Sequence, residues 1–316
     1  MTDPGTDAAR IDSRRTARRR RWAWLRRLWN LSTGRFGLIV VAVVAITALI
    51  ARWWTPFDPR QVEIANRWAL PGWPNLLGTD GTGRDILSLL IAGSRTTVVV
   101  AVGAGAIATV IGVALAALGA LTARVLRESV AVIVDILIAF PVLIIAMMIS
   151  AVWGGSLAVV IWSVGIGFGV NIARVTRPEL RRVLHSDFVL AGRACGLSPL
   201  QNLWRHLMPN VAPVFIVQLS WGMAVAVLAE AGLSYLGFGA PVTEPSWGLL
   251  LAELQQYITV YPLSVLWPGL AITFTVLGLN LLGDALREAT DPTLSHGRDP
   301  LHPPRGAIRH VPEVVA

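Results

Sequence analysis

An all-α integral membrane protein with six transmembrane helices is the fold class this sequence predicts, and three observations lead to it. Hydrophobic residues fill 54% of the 316 positions and charged residues only 15%, a balance unsuited to a soluble domain of this length. Apolar runs long enough to cross a bilayer, about 20 helical residues each, recur along the chain. Between them, arginine-rich and arginine-poor connections alternate, which is how loops sort to the two sides of a membrane.

The formal net charge of +8 rests on arginine alone, because the chain contains no lysine. A basic balance is compatible with nucleic-acid binding, but here the charges cluster beside apolar runs. Topology accounts for them, and no nucleic-acid partner is expected. Cys195 is the only cysteine, which excludes an intrachain disulfide and a cysteine-built zinc cage.

Taken in order, residues 1–35 form a basic arm in which Arg18, Arg19, Arg20, Arg21, Arg26 and Arg27 are interleaved with Trp22, Trp24, Leu25, Leu28 and Trp29. The end of the arm has the pattern of a helix lying on the inner membrane surface, arginines toward lipid head groups and tryptophans at the interface. Before Arg19 it reads also as a tail that only orients the first span. That span, Phe36 to Ile50, is followed by Arg52, Trp53 and Trp54 without an A-x-A-like site, so a cleaved signal peptide is not expected.

Thr55 to Ser94 is rich in Pro, Gly and Trp and reads as an outer loop with a short helix from about Asp85. Its G-T-D-G-T-G-R-D run lacks the G-K-[ST] ending of a phosphate loop. A second span is expected from about Thr96 to Leu121, with Gly103, Gly112 and Gly119 near one face for close helix packing. A brief loop carrying Arg124 and Arg127 leads to a third span, about Ser129 to Val152, which Pro141 should kink. The fourth span, about Ser156 to Val175, contains Gly165, Gly167 and Gly169, a sign of close packing or a bend. The fifth runs from about Pro213 to Leu233 and the sixth from about Pro262 to Leu282. Between these two, 237–261 is expected outside and partly re-entrant. The tail, 291–316, is polar and contains His296, His302 and His310.

Two acids fall within spans, Asp135 and Glu230. Each is either a residue of a transport pathway or a structural hydrogen-bonding partner, since an ionisable group at that depth faces protein or water.

The longest polar internal stretch is 174–210, where Arg174, Arg177, Arg181, Arg182, Arg193 and Arg205 predict a cytoplasmic location. Its chemistry spells helix, sharp turn, helix. Ser186 and Asp187 open the first helix, Arg193 complements its dipole, and Gly196 ends it in a left-handed cap. Ser198, Pro199 and Gln201 then form an S-x-x-Q capping box with proline at the first helical position. Ala191, Gly192, Ala194 and Cys195 are small enough for another surface to approach the backbone closely. A solvated amphipathic connector would look the same.

The run D-F-V-L-A-G-R-A-C-G (187–196) followed by H-L-M-P-N (206–210) resembles the "EAA" loop of permeases in binding-protein-dependent ABC importers, in particular the dipeptide, oligopeptide and nickel branch. The segments L-G-T-D-G-T-G-R-D (77–85), D-I-L-I-A-F-P (135–141), E-A-G-L-S-Y-L-G-F-G (230–239), P-S-W-G (245–248) and G-D-A-L-R-E-A-T-D-P (283–292) agree, so the resemblance covers all but the two ends. It implies a type I importer permease architecture, a 36–290 transmembrane domain, and a multi-pass location in a bacterial cell membrane with both termini cytoplasmic. It implies ATPase coupling through Asp187, Leu190, Ala191, Gly192, Arg193 and Gly196, supported by His206, Pro209 and Asn210. The implied partners are a second homologous permease chain, two ATPase domains, an extracytoplasmic substrate-binding protein and membrane lipids. Leu190 departs from the family pattern, which has Glu there, and Gly192 replaces its second Ala.

No cofactor or metal is expected in the chain itself. Without lysine there is no P-loop, and no His or Cys lies within a predicted span. Short peptides are the cargo implied by the resemblance, with nickel as the alternative. Two rivals from other classes stay open: a membrane-embedded enzyme using Asp135 and Glu230, and a proton-coupled secondary transporter.

Overall fold

The computed structural model describes residues 26–121 and 124–290; most of the basic arm, with the arginines expected to face lipid head groups, and the whole 291–316 tail lie outside the described residues. Among the described residues the chain is helical with no strand, apart from an isolated bridge between Thr79 and Asp85. Beyond the helical residues 26–30, ten α-helices are found among the described residues: α1 (Ser32–Ile50), α2 (Ile86–Leu121), α3 (Arg124–Ile138), α4 (Val142–Trp153), α5 (Leu157–Leu184), α6 (Asp187–Ala194), α7 (Pro199–Asn202), α8 (Met208–Tyr235), α9 (Trp247–Gln255) and α10 (Pro262–Thr290). Five helical stretches are long and apolar enough to span a membrane, and α3 with α4 makes a sixth if the bent pair counts as one span.

The expected helix boundaries shift in informative ways. The short helix near Asp85 and the second span are one continuous helix of 36 residues, α2. At 1.5 Å per residue it is about 54 Å long, well beyond the ~30 Å hydrocarbon core, so it projects from the bilayer. Arg124 and Arg127 belong to the first turns of α3 rather than to a loop. Pro141 does more than kink the third span: α3 and α4 meet at 75° across the break. Proline has no N–H to continue the ladder, and it serves here as the first cap of α4. The fourth span continues as helix to Leu184, through Pro178, so the polar stretch begins inside α5. The end of the arm turns inward: Leu28 is buried against Ala285 and Ala289 of α10.

The bundle is built on α2 against α5, with α8 packed on both, and α10 joining α8 to α1. In lipid there is no hydrophobic drive between helices, so close backbone approach and van der Waals contact do the work. At Gly165 an added Cβ would lie 2.7 Å from Ile107 of α2, and at Gly169 2.5 Å from Ile111, so neither position admits a side chain. Gly103 and Gly112 oppose them from α2 by lying against Ile161 and Ile172, whereas Gly119 has nothing near it and does not join the packing face. Around this seam sits the main core, with Val100, Ala104, Val160, Val164 and Ile172 buried. Outward-facing Ile39, Val43, Ile46 and Leu49 of α1 remain exposed, as a lipid-facing stripe would.

Candidate functional site

Two regions gather the polar side chains singled out by the sequence, one at each end of the bundle. At the first, the polar stretch forms a compact knob between α5 and α8. α6 ends in a double hydrogen-bonded cap: Leu197 N donates to Gly192 O and Gly196 N to Arg193 O, both at 3.0 Å, with Gly196 at φ +81°. Only glycine takes that conformation without steric penalty. The capping box then forms as expected, Gln201 N donating to Ser198 Oγ and Ser198 N to Gln201 Oε1.

Other details of the knob differ from the sequence reading. Ser186 occupies the N-cap position of α6, but its hydroxyl donates back to Val183 O at 2.6 Å and does not cap. Asp187 is the first helical residue, exposed, with no hydrogen bond or ion pair among the described residues, so its favourable interaction is with the helix dipole. Gly192 turns inward rather than toward a partner. A Cβ there would meet Leu197 Cδ1 at 3.1 Å and Asn202 Oδ1 at 3.2 Å, so its smallness lets α6 fold against α7.

Beneath the knob, Val189, Leu203, Leu207 and Val211 are buried together with Leu180 and Val183 of α5. Asn202 was not singled out by sequence. It is buried and donates from Nδ2 to Val189 O at 3.2 Å, tying α7 to α6. No local pattern marks it, because its partner lies on another helix. α7 runs through a wide π-type turn, Leu203–Leu207, straight into α8. Pro209 at the start of α8 cannot donate to the ladder, a reason for the turn to open just before it. His206 is half-buried with its ring 6.0 Å from that of Phe188, and its carbonyl accepts from Asn210 Nδ2 at 2.7 Å. The outer face of the knob exposes Asp187, Phe188, Leu190, Ala191, Arg193, Leu200 and Trp204.

At the opposite end, the outer loop and 237–261 close over the bundle. In the loop, Asp80 is buried and collects four donors: Thr82 N, Thr82 Oγ1 and Arg84 N on Oδ1, and Arg84 Nε on Oδ2. The glycine-rich run therefore spends its backbone donors on its own aspartate and does not form a phosphate cradle. Arg84 also donates to Glu253 of α9 at 2.6 Å. Partial burial opposes the Arg84 charge, but the carboxylates of Asp80 and Glu253 outweigh it and raise its pKa above the usual arginine value. Trp247 is buried and donates to Leu90 O at 2.8 Å, while Thr96 donates to Pro245 O at 2.7 Å, which pins the P-S-W-G segment to α2.

Glu230 lies under this closure with no solvent exposure. Its Oε1 accepts from Ser234 and from Ser246, each at 2.7 Å. Ser246 is at the same time the N-cap of α9, and Ser234 accepts from Ala240 N. Asp135 is elsewhere, on the exposed side of α3 with Arg174 Nε 3.7 Å away. The two acids thus have different partners on different helices and do not form a pair.

A bundle of long apolar helices, one of them broken, with a folded knob between two spans and a loop cap at the other end, is the architecture of a multi-pass helical membrane protein. The chain belongs to the family described as binding-protein-dependent transport system inner membrane component, which matches residues 108–296. It is 34% identical over 273 residues to a putative peptide transport system permease protein of Brucella suis biovar 1, covering 85% of this chain and 90% of that one. The nickel transport system permease protein NikC of Escherichia coli K12 is 31% identical over 260 residues, covering 82% and 94%. The dipeptide transport system permease protein DppC of Alkalihalophilus pseudofirmus is 31% identical over 258 residues, covering 82% and 85%. Among solved structures, an inward-facing MetNI methionine ABC transporter shares the fold, with a TM-score of 0.54 at 20% identity over 65% of this chain and 98% of the other. The chain is therefore a permease subunit of an ABC importer of the peptide and nickel type, a membrane transport component and not itself an enzyme.

Proposed function

We propose that this chain forms half of the translocation pathway of an ATP-driven importer for short peptides, and that the knob of α6 and α7 carries the motion of a separate ATPase into the bundle. The observation that supports this reading is mechanical: the knob is seated on a buried core it shares with α5, α8 and the end of α2, and its two ends continue into the spans α5 and α8. A push on it is delivered to two spans at once. On this reading Leu190 and Ala191 contact the ATPase through the exposed face, Asp187 and Arg193 supply charge, and Gly196 with the inward Gly192 keeps the two short helices in register. His206, Pro209 and Asn210 brace the knob from behind.

The partners in this reading are a second homologous permease chain, two ATPase domains and an extracytoplasmic binding protein, with the knob and both termini on the cytoplasmic side of a bacterial cell membrane. The burial of Glu230 and its hydroxyl partners support a structural role for it; Asp135, exposed beside Arg174, fits a pathway or partner-facing position better. Nickel is the second reading, supported by the similarity to a nickel permease.

Uptake measured in vesicles containing the chain and its co-expressed partners tests the function. Labelled di- and tripeptides should enter only with ATP and the binding protein, and nickel should not. Nickel uptake without peptide uptake would replace the first reading by the second, and uptake without an ATPase would remove both. Cys195, which is exposed on the knob, tests orientation: an impermeant thiol reagent should label it in inverted vesicles and not in right-side-out ones.

A further inference from the structure

A cavity of about 410 Å³ opens between the end of α2, the first half of α3 and the second half of α5, at the same end of the bundle as the knob. Arg124, Arg127, Arg174, Arg177, Arg181 and His185 line it, the last four recurring along α5 at spacings of three and four and so sharing one helical face. The only acid in the lining is Glu128, already held by Arg124 at 2.8 Å, and Asp135 stands beside Arg174. Arg127, Arg177 and Arg181 have no acidic partner among the described residues. Of these, Arg127 and Arg177 are half-buried, and the Nε of Arg127 is buried without any hydrogen-bond partner.

Half-buried guanidinium groups gathered around one cavity repel, and a buried N–H without an acceptor is destabilising. An anion with several acceptor oxygens removes both penalties, and the planar guanidinium matches a phosphate bidentately. The remaining walls decide what carries that phosphate. Leu115, Val130 and Val134 make the inner side of the cavity apolar, and the outer face of α3 exposes Val125, Ile133 and Ile136. Because α3 is the first half of a membrane-crossing pair, these surfaces lie where head groups give way to acyl chains.

We infer that this cavity is a binding site for an anionic phospholipid, with the phosphate held by Arg127, Arg177 and Arg181 and the acyl chains lying along the apolar side of α3. The site adjoins the knob, since Arg127 and His185 also border the groove lined by Leu190 and Arg193, and the inference does not depend on the cargo. Its placement bridges the break between α3 and α4 to the root of the knob, so an occupied site ties α3 to α5.

The test uses the full chain, purified in detergent and supplied with phosphatidylglycerol and phosphatidylcholine of identical acyl chains, with bound lipid counted by native mass spectrometry. Phosphatidylglycerol should be retained in preference. Combining Arg127→Gln with Arg177→Gln should lower its retention by roughly tenfold or more, while Arg60→Gln with Arg67→Gln at the other end should leave it unchanged. Equal retention of the two lipids, or full retention by the cavity variant, overturns the inference. Displacement by inorganic phosphate at constant ionic strength would make the site one for a free anion, and retention of an acidic peptide in place of lipid would make it a protein-docking surface; either result overturns it too. Should the cavity variant fail to accumulate, the wild-type chain still decides. The preference for phosphatidylglycerol must shrink as salt is raised, and a preference insensitive to salt counts against the site.

Discussion

The two ends of the bundle are finished in opposite ways. At the loop-capped end, buried polar groups find most of their partners within the chain: Asp80 takes four donors, Glu230 takes two hydroxyls on Oε1 while its Oε2 has none, and Trp247 reaches a carbonyl on α2. At the knob end the backbone is capped just as carefully, yet Phe188, Leu190, Leu200 and Trp204 stay exposed and Arg127 keeps a buried donor unused. The difference separates an end whose polar side chains are mostly tied to one another from an end that keeps a large apolar surface exposed, and it divides the expected effects of mutation accordingly. Damage to the first should appear as lost stability, and damage to the second as lost uptake in a protein that still accumulates.

The largest stability effect is expected from Glu230→Ala. It leaves the hydroxyls of Ser234 and Ser246 without their shared acceptor in a sealed site, which should lower stability by about 2–4 kcal/mol. Thermal unfolding in detergent checks this, and Glu230→Gln, which keeps an acceptor oxygen, should recover most of the loss. A fully stable Ala variant would erase the distinction between the ends.

Gly196→Val comes next. The left-handed conformation costs a side chain about 1–2 kcal/mol, and a β-branched one is worse placed still. ATP-driven uptake should fall sharply while the chain still inserts; normal uptake would take the turn out of the mechanism. Ser198→Ala removes half of the capping box, for about 1 kcal/mol. Because only the knob is loosened, uptake should drop partway with little change in the global thermal midpoint.

The smallest stability effect and the most discriminating one is expected from Asp187→Asn. With Ser186 at the cap position, the charge of Asp187 contributes only its interaction with the helix dipole, about 0.3–1 kcal/mol at an exposed site. If Asp187 supplies to the ATPase the carboxylate that Leu190 lacks, the Asn variant should bind the ATPase more weakly in co-purification. Adding Leu190→Glu, one turn away on the same face, should restore part of it. Unchanged association would leave Asp187 a dipole partner and nothing more.

What could be read in advance follows the range of the interactions. The spans were legible because a run of about 20 apolar residues is a local signal, and so was the turn at Gly196, whose cap uses residues within a few positions of one another. Of the partners of Glu230, Ser234 lies one turn along the same helix, but Ser246 was not legible, since it lies 16 positions away on another element. Nor was the inward turn of Gly192, because small side chains look the same in sequence whether they face a partner or their own chain. The length of α2 was missed for another reason: the polar stretch 94–97 interrupts an apolar run that already begins at Ile86, and the helix passes straight through it, opened by the donors that Asp85 accepts from Ser88.

The wide turn at Leu203–Leu207 also bears on how the chain tolerates a change of length. Such a turn holds one residue more than an α-turn does, so a surplus position is stored between the knob and α8. Deleting a residue there would leave ordinary helix, with the faces on either side brought into plain α-helical phase. A deletion deeper in α8 would swing every later side chain by about 100° and present the wrong face to α2, α5 and α10. The turn is therefore the place in the chain where the loss of a single residue is absorbed without the bundle being repacked.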